Sequence, residues 1–231
     1  NPDALQYEKE VQRRLDELGI AYDDESKAEA IIVLGGDGTI LPLAGSPLPL
    51  LGINLGNVGY MSELEKDELS LLSCLVDDSY YVEDRMMLDI FIDDGNTETL
   101  FCSALNEVVM SKGAVSHMID IEFSACGRVV SVYSADGLIA ATPTGSSAYS
   151  MASGGPIVDP KLELICLTPV SSHSLLNSRS LIFPPFAELA MKFLPTRGKK
   201  AYLSVDGRKS IPIDNKVTVK IRKSDKTTKL I

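Results

Sequence analysis

The chain has no tryptophan, only two histidines and only four cysteines among its 231 residues. His117 and His173 are too few for a histidine-rich metal site, and no metal-ligating set is expected. Cys74, Cys102, Cys126 and Cys166 show no C-x-x-C spacing, and each lies in an apolar stretch. They are expected to be buried free thiols of a reducing compartment, the cytoplasm, and not a zinc site or a disulfide frame. Basic residues are also short: 22 Lys and Arg stand against 32 Asp and Glu, a net charge of -10. An acidic chain is a poor match for a phosphate backbone, so no nucleic-acid partner is expected. A small anion is still admitted, because it meets the local field. No apolar run approaches the ~20 residues of a membrane helix, so no membrane partner is expected either. The opening NPDALQYEKEV has no apolar signal core and no initiator methionine. No G-x-G-x-x-G follows an apolar run, which argues against an ordinary NAD dehydrogenase.

What is present divides into two textures. Ala4, Tyr7, Val11, Leu15 and Leu18 form one helical stripe, and Gly19 followed by apolar Ile20 predicts a Schellman ending. The short apolar runs IIVL and LPLLGIN then read as parallel strands buried on both faces. EKDELSLLSCLVDD reads as another helix, with Leu69, Leu72 and Val76 on one side. Residues 1–82 are therefore expected to be a Rossmann-like α/β domain. From Met86 onward, many short β-type runs follow one another, with turn signals at Asp94-Gly95-Asn96 and Cys126-Gly127. Residues 83–231 are expected to be β-rich, a sandwich or layered sheets, whose one clear helix begins near Gly145.

Three constellations carry chemistry. The first is GGDGT, Gly35 to Thr39, directly after a strand. Gly35, Gly36, Gly38 and Thr39 allow backbone N–H groups to converge on a phosphate without a side-chain cation. Asp37 within that loop repels phosphate unless a divalent metal intervenes or the carboxylate takes a proton from an attacking hydroxyl. A plain turn after a strand explains the same residues. The second is Asn106-Glu107 in ALNEVV, a polar pair between apolar neighbours, suited to a ribose diol or to a wet strand end. The third runs from Ser134 to Pro156. Its Thr144, Ser146 and Ser147 suit a helix cap or an adenine edge, and Tyr149 offers a stacking face. A capped helix packed on a sheet is the plainer reading.

In this order, GGDGT, LLGINLGNVGYMSE, ALNEVV, ADGLIAATPTGSSAYSMASGGPIVDP and the VDG at Val205 to Gly207 resemble the NAD kinase family over nearly the whole chain. The resemblance implies an α/β domain followed by a β-rich one, and transfer of phosphate from ATP, or in some members polyphosphate, to the adenosine-ribose 2′-hydroxyl of NAD. Mg²⁺ accompanies the ATP. By the same resemblance, Asp37 is the general base and Gly38 lies at the ligand. Asn106 and Glu107 hold NAD ribose and amide groups, and Asp136 lies near the nucleotide. Thr144, Ser147, Ala148 and Tyr149 form the adenine side. A homodimer or homotetramer is implied.

The chain departs from the family pattern in places. Asn57 and Tyr60 stand in NLGNVGY where many members have NLGRLGF, Ala152 replaces a hydroxyl residue, and Arg208 replaces a common Gln. After GGDGT the three prolines of ILPLAGSPLP forbid the family's phosphate-facing helix. That helix, the first strand and the last segment are expected to lie outside these 231 residues. Two other functions compete. A lipid or sphingoid kinase shares the GGDGT loop but not TPTGSSAYS. A non-catalytic NADP-binding sensor would have no use for Asp37.

Overall fold

The computed structural model describes residues 2–56, 59–113, 117–173, 178–194 and 200–231. The chain forms two compact units, Asn1–Arg85 with Thr228–Ile231, and Met86–Thr227.

In the first unit, helix α1 (Pro2–Leu18) buries Val11 and Leu15, with Tyr7 and Leu18 packed beside them. It ends in a Schellman motif. Gly19, at φ 71°, donates to the Asp16 carbonyl, and the Ile20 N–H donates to Leu15. Strands β1 (Ile31–Leu34) and β2 (Leu50–Ile53) pair in parallel, with Ile31 opposite Leu50 and Leu34 opposite Ile53. The end of the chain returns here, and Leu230 runs parallel to Leu50. Leu51, Ile53, Leu64 and Leu72 complete the core under α1. Between the strands lie only one α-turn, α2 (Asp37–Ile40), and one 3₁₀ turn (Leu41–Leu43) opened by Pro42.

The helix expected within EKDELSLLSCLVDD is a 3₁₀ segment, Leu69–Leu75. At three residues per turn, Leu69, Leu72 and Leu75 share an edge and face the core. Val76, placed on that face by an α-helical period, is 52% exposed.

The second unit is built from β3 (Glu83–Asp93), β4 (Glu98–Ala104), β5 (Glu107–Lys112), β6 (Ile119–Ala125), β7 (Arg128–Ala135), β8 (Gly137–Ala141) and β9 (Ile165–Val170). β10 (Leu181–Phe183), β11 (Leu189–Leu194), β12 (Ala201–Val205), β13 (Lys209–Ile213) and β14 (Thr218–Leu230) complete it. One sheet runs β14-β11-β6-β7 with β3 and β4 alongside, and the other runs β10-β9-β8-β5-β12-β13. Alternate residues of β6, β11 and β12 point inward, and both sheets feed one core around Phe123, Met110, Leu138 and Ile221. β8 is buried at every position, because Val109, Ile139, Ala141 and Cys166 form a second apolar layer on the opposite face with Val158 and Leu164. The β-rich, layered expectation is met.

Two readings need correction. The helix expected from Gly145 is a 3₁₀ turn (Thr144–Ser147) followed by a single α-turn, α3 (Tyr149–Ala152), interrupted at Ala148 with φ -95° and ψ -127°. The four thiols are not uniformly buried. Cys166 is buried and Cys74 and Cys102 are half-buried, while Cys126 is exposed. Cys126 has φ 50° at the tip of the β6–β7 hairpin, where a turn outweighs the apolar run around it.

Candidate functional site

In the first unit, GGDGT closes the end of β1. Gly35 has φ 150°, and a side chain there would collide with Thr39, so the turn demands glycine. Gly35 N–H donates to Ile53 O at 2.9 Å and Thr39 N–H to Gly36 O at 2.8 Å. The Asp37 carboxylate is held from across the unit. Tyr60 N–H donates to its Oδ2 and Met61 N–H to its Oδ1, both at 3.1 Å. A Cβ on Gly59 would stand 2.8 Å from Asp37 Oδ1, so this approach needs a small residue there. Asp37 is thereby oriented at a half-buried position, while Gly38 and Thr39 are exposed beside it. Asn54, 2% exposed at the end of β2, organises the neighbouring segment. Its Nδ2 donates to Glu65 Oε1 at 3.1 Å, and its Oδ1 accepts the Gly56 N–H at 3.2 Å.

In the second unit, the break between β4 and β5 exposes three successive backbone N–H groups, and Asp206 takes all three. Its Oδ2 accepts from Leu105 at 3.0 Å, and its Oδ1 accepts from Asn106 at 2.9 Å and Glu107 at 3.1 Å. Arg208 Nη2 lies 3.4 Å from Oδ2 and balances the buried charge. Asp206 itself has φ 49° in the β12–β13 turn. Thr142 locks the other side. Its Oγ1 donates to Leu105 O at 2.5 Å and accepts the Gly145 N–H at 3.0 Å. Gly145 passes so close to the Asn106 carbonyl that a Cβ would overlap it.

Asn106 and Glu107 are thus buried, 7% and 6% exposed, at a rigid strand entry. The Glu107 carboxyl is pushed up to about 7, chiefly by burial and then by the Asp206 charge, against a lowering pull from the Tyr149 backbone N–H. Its Oε2 is buried and without a hydrogen-bond partner. A buried carboxylate oxygen without a partner is uncommon in a folded chain.

The structure brings Asn106, Glu107 and the Thr144–Tyr149 turn together. Thr144 is buried, Ser147 and Ala148 are half-buried, and Tyr149 is 44% exposed. Neither Ser146 nor Ser147 caps a helix. Their hydroxyls donate back to the carbonyls of Pro143 and Thr144, three residues earlier, and Ser146 Oγ also accepts the Val158 N–H at 2.9 Å. Asp136 does not join the group. Glu107 pairs with Ala141, whereas Asp136 sits beside Lys112 at the far end of the β5–β8 pair, five residues or ~17 Å along a strand. There its Oδ1 pairs with Lys112 Nζ at 2.8 Å.

Sequence reasoning missed Asp206 and Thr142 as organisers. Asp206 stands in the VDG motif and Thr142 in ADGLIAATPTGSSAYS, but the motifs alone assign neither residue a structural role. Asn57 lies outside the described residues, and Ala152 is exposed at the end of α3. Among the described residues, no three His, Cys, Asp or Glu side chains gather as metal ligands.

Comparison with known proteins matches the family model described as ATP-NAD kinase N-terminal domain to residues 3–80, and the ATP-NAD kinase C-terminal domain to residues 105–231. A protein named NAD kinase from Natranaerobius thermophilus is 39% identical over 209 residues, covering 88% of this chain and 72% of that protein. One from Clostridium beijerinckii is 40% identical over 210 residues, with the same coverage. Among solved structures, yeast NADH kinase complexed with NADH superposes with a TM-score of 0.77 at 26% identity, covering 88% of this chain and 61% of that one. An NAD kinase from Archaeoglobus fulgidus in complex with ATP superposes with a TM-score of 0.82 at 24% identity, covering 97% and 88%, a likeness of fold.

Proposed function

Since this chain belongs to the NAD kinase family, we infer that it moves the γ-phosphoryl group of ATP to the 2′-hydroxyl of the adenosine ribose of NAD. It is a kinase, and it phosphorylates NAD. The observation that carries the reading is the Asp37 carboxylate, clamped by two backbone N–H groups beside a glycine turn. Asp37 accepts the proton of the 2′-hydroxyl as the oxygen bonds to phosphorus and the bond to the ADP oxygen breaks.

The N–H groups of Gly35 and Thr39 are spent within the fold, so Gly36, Asp37 and Gly38 supply the phosphate cradle. Mg²⁺ usually binds through one or two carboxylates plus substrate phosphates, and among the described residues of the glycine turn Asp37 is the carboxylate that would hold it. When bound, the ion neutralises charge on the phosphates. In the second unit, Asn106 and Glu107 take ribose and amide groups, and Thr144, Ser147, Ala148 and Tyr149 take the adenine side. Asp136 stands apart from them within one chain, and its role at the nucleotide is a separate proposal.

The kinase works as a homodimer or homotetramer, supported by exposed apolar side chains at Val129, Val130 and Phe186. Light scattering at micromolar concentration checks this. Its unpaired thiols fit a reducing cytoplasm. Among the described residues, no helix is long and apolar enough to cross a membrane.

The direct test is NADP formation from NAD with Mg²⁺ and either ATP or polyphosphate, repeated with NADH. Phosphorylation of a sphingoid base, or tight NADP binding without turnover, would replace this reading with one of its competitors.

A further inference from the structure

The segment that clamps Asp37 has an anchor of its own. Just after the clamp, the Glu63 and Leu64 N–H groups both donate to Gly52 O at 3.1 Å, and the Leu64 carbonyl accepts the Asn54 N–H at 2.7 Å. Leu64 bridges Ile53 in parallel, so this stretch is fastened to β2. The approach is close as well as bonded. A Cβ on Gly52 would stand 2.9 Å from Ser62 Cα, so the backbone at Ser62 lies directly on the strand.

Asp37 belongs instead to the turn at the end of β1, and Ser62 joins the two. Its Oγ donates to Gly35 O at 3.2 Å, across 27 residues of chain. Gly35 opens the turn two residues before Asp37, and Ser62 directly follows Met61, whose N–H holds Asp37 Oδ1. A Cβ on Gly59 would stand 2.8 Å from Asp37 Oδ1 and 3.2 Å from Ser62 Oγ, so the carboxylate and the hydroxyl border the same glycine. Bonds from Tyr60, Met61 and Ser62 thus pass in succession from the clamp segment to the turn.

We infer that Ser62 is a positioning residue for phosphoryl transfer, its hydroxyl keeping the Tyr60 and Met61 N–H groups in register with the turn that carries Asp37. This rests on reading Asp37 as the general base. A serine hydroxyl has one proton to give, and the Gly35 carbonyl takes it, so Ser62 acts through Asp37 and not on the substrate. The clamp aims the carboxylate only as firmly as its own backbone is tied to the turn. A misplacement of about 1 Å at a reacting group can cost about 10²-fold in rate. Loosening this tie should therefore appear in kcat, while NAD binding through Asn106 and Glu107 in the other unit stays as it is.

The test is a double-mutant cycle with Asp37. Ser62→Ala deletes the donor and Ser62→Thr keeps it. Each is made in the unmodified chain and in Asp37→Asn, and NAD binding by calorimetry on the same samples counts the folded chains. Ser62→Ala should lower kcat about 3–10-fold, the worth of one ordinary hydrogen bond, with KM for NAD changed less than twofold. Ser62→Thr should keep at least half of the original kcat. In the Asp37→Asn background, Ser62→Ala should alter the residual rate less than twofold, because the group it aims is gone. A merely structural serine gives the same fold loss in both backgrounds, and that result overturns the inference. So does an unchanged kcat in Ser62→Ala, or a Thr variant as slow as the Ala one. Near-normal turnover in Asp37→Asn overturns instead the general-base reading beneath it.

Discussion

Asp37 receives one backbone N–H on each carboxylate oxygen, which changes what a substitution there reports. Asparagine tolerates the same backbone but offers a single oxygen, so Asp37→Asn turns an amide NH₂ toward one of the two donors. A loss of about 1–3 kcal/mol in stability is expected from that clash alone. Loss of the base adds a separate effect, a fall in kcat of ~10²–10⁴-fold with NAD affinity little changed. Denaturation and single-turnover measurements on the same sample separate the two. Turnover near normal would refute the general-base role whatever the stability.

Glu107 makes a different residue-scale prediction. Its folded value is about 7, above the ordinary 4.5. Its contribution to stability is therefore fully present below about pH 4.5 and is lost as pH rises through about 7. The size is up to about 3 kcal/mol. Glu107→Gln removes the titration, so urea midpoints of the variant should fall less between pH 4.5 and 7 than those of the unmodified chain. Parallel curves would show that Glu107 is not buried in its acid form.

At the scale of elements, strands with alternating or fully apolar patterns were legible from sequence, as was α1 with its Gly19 ending. The pattern and the packing coincide there. The misreadings share a cause, which is packing that local periodicity does not record. Leu69–Leu75 winds as 3₁₀ because Leu75, not Val76, reaches the core. GLIAA, within a stretch whose plainer reading is a capped helix packed on a sheet, is the central strand β8, where small side chains fit between two apolar layers. The polar KSDKTTKL continues β14, where residues such as Thr228 are buried by distant partners. Of the site, the motif residues were legible, but the clamp from Tyr60 and Met61 and the triple bond set of Asp206 span about 23 to 101 residues of chain.

The turn between β8 and α3 gives the element-scale test. Gly145→Ala drives a methyl into the Asn106 carbonyl and should cost about 1–3 kcal/mol by overpacking, with a raised KM for NAD because Asn106 and Glu107 shift together. Gly56→Ala, where a methyl meets nothing within 4 Å, is the stability control. Equal melting temperatures for the two variants would show that the Gly145 contact is slack.

Over the whole molecule, the relevant quantity is a net charge of -10 set against two anionic substrates. Among the described residues, Arg208 beside the Asn106–Glu107 entry is matched by Asp206, and Lys112 at the far end of the β5–β8 pair is matched by Asp136. The far field therefore repels ATP and NAD during approach, while the backbone cradle acts only at contact. Screening shortens the reach of that field from about 30 Å at 0.01 M salt to about 8 Å at 0.15 M. For most enzymes of anionic substrates, which attract them through basic surfaces, added salt slows association. Here the sign should reverse. With Mg²⁺ held constant, kcat/KM for NAD should rise severalfold as inert salt increases over that range, with kcat itself nearly flat. A fall in kcat/KM would mean that a local positive field outweighs the charge of the chain. Replacing Lys112 with Gln would then locate that field, since it leaves the Asp136 carboxylate unopposed at the end of the β5–β8 pair.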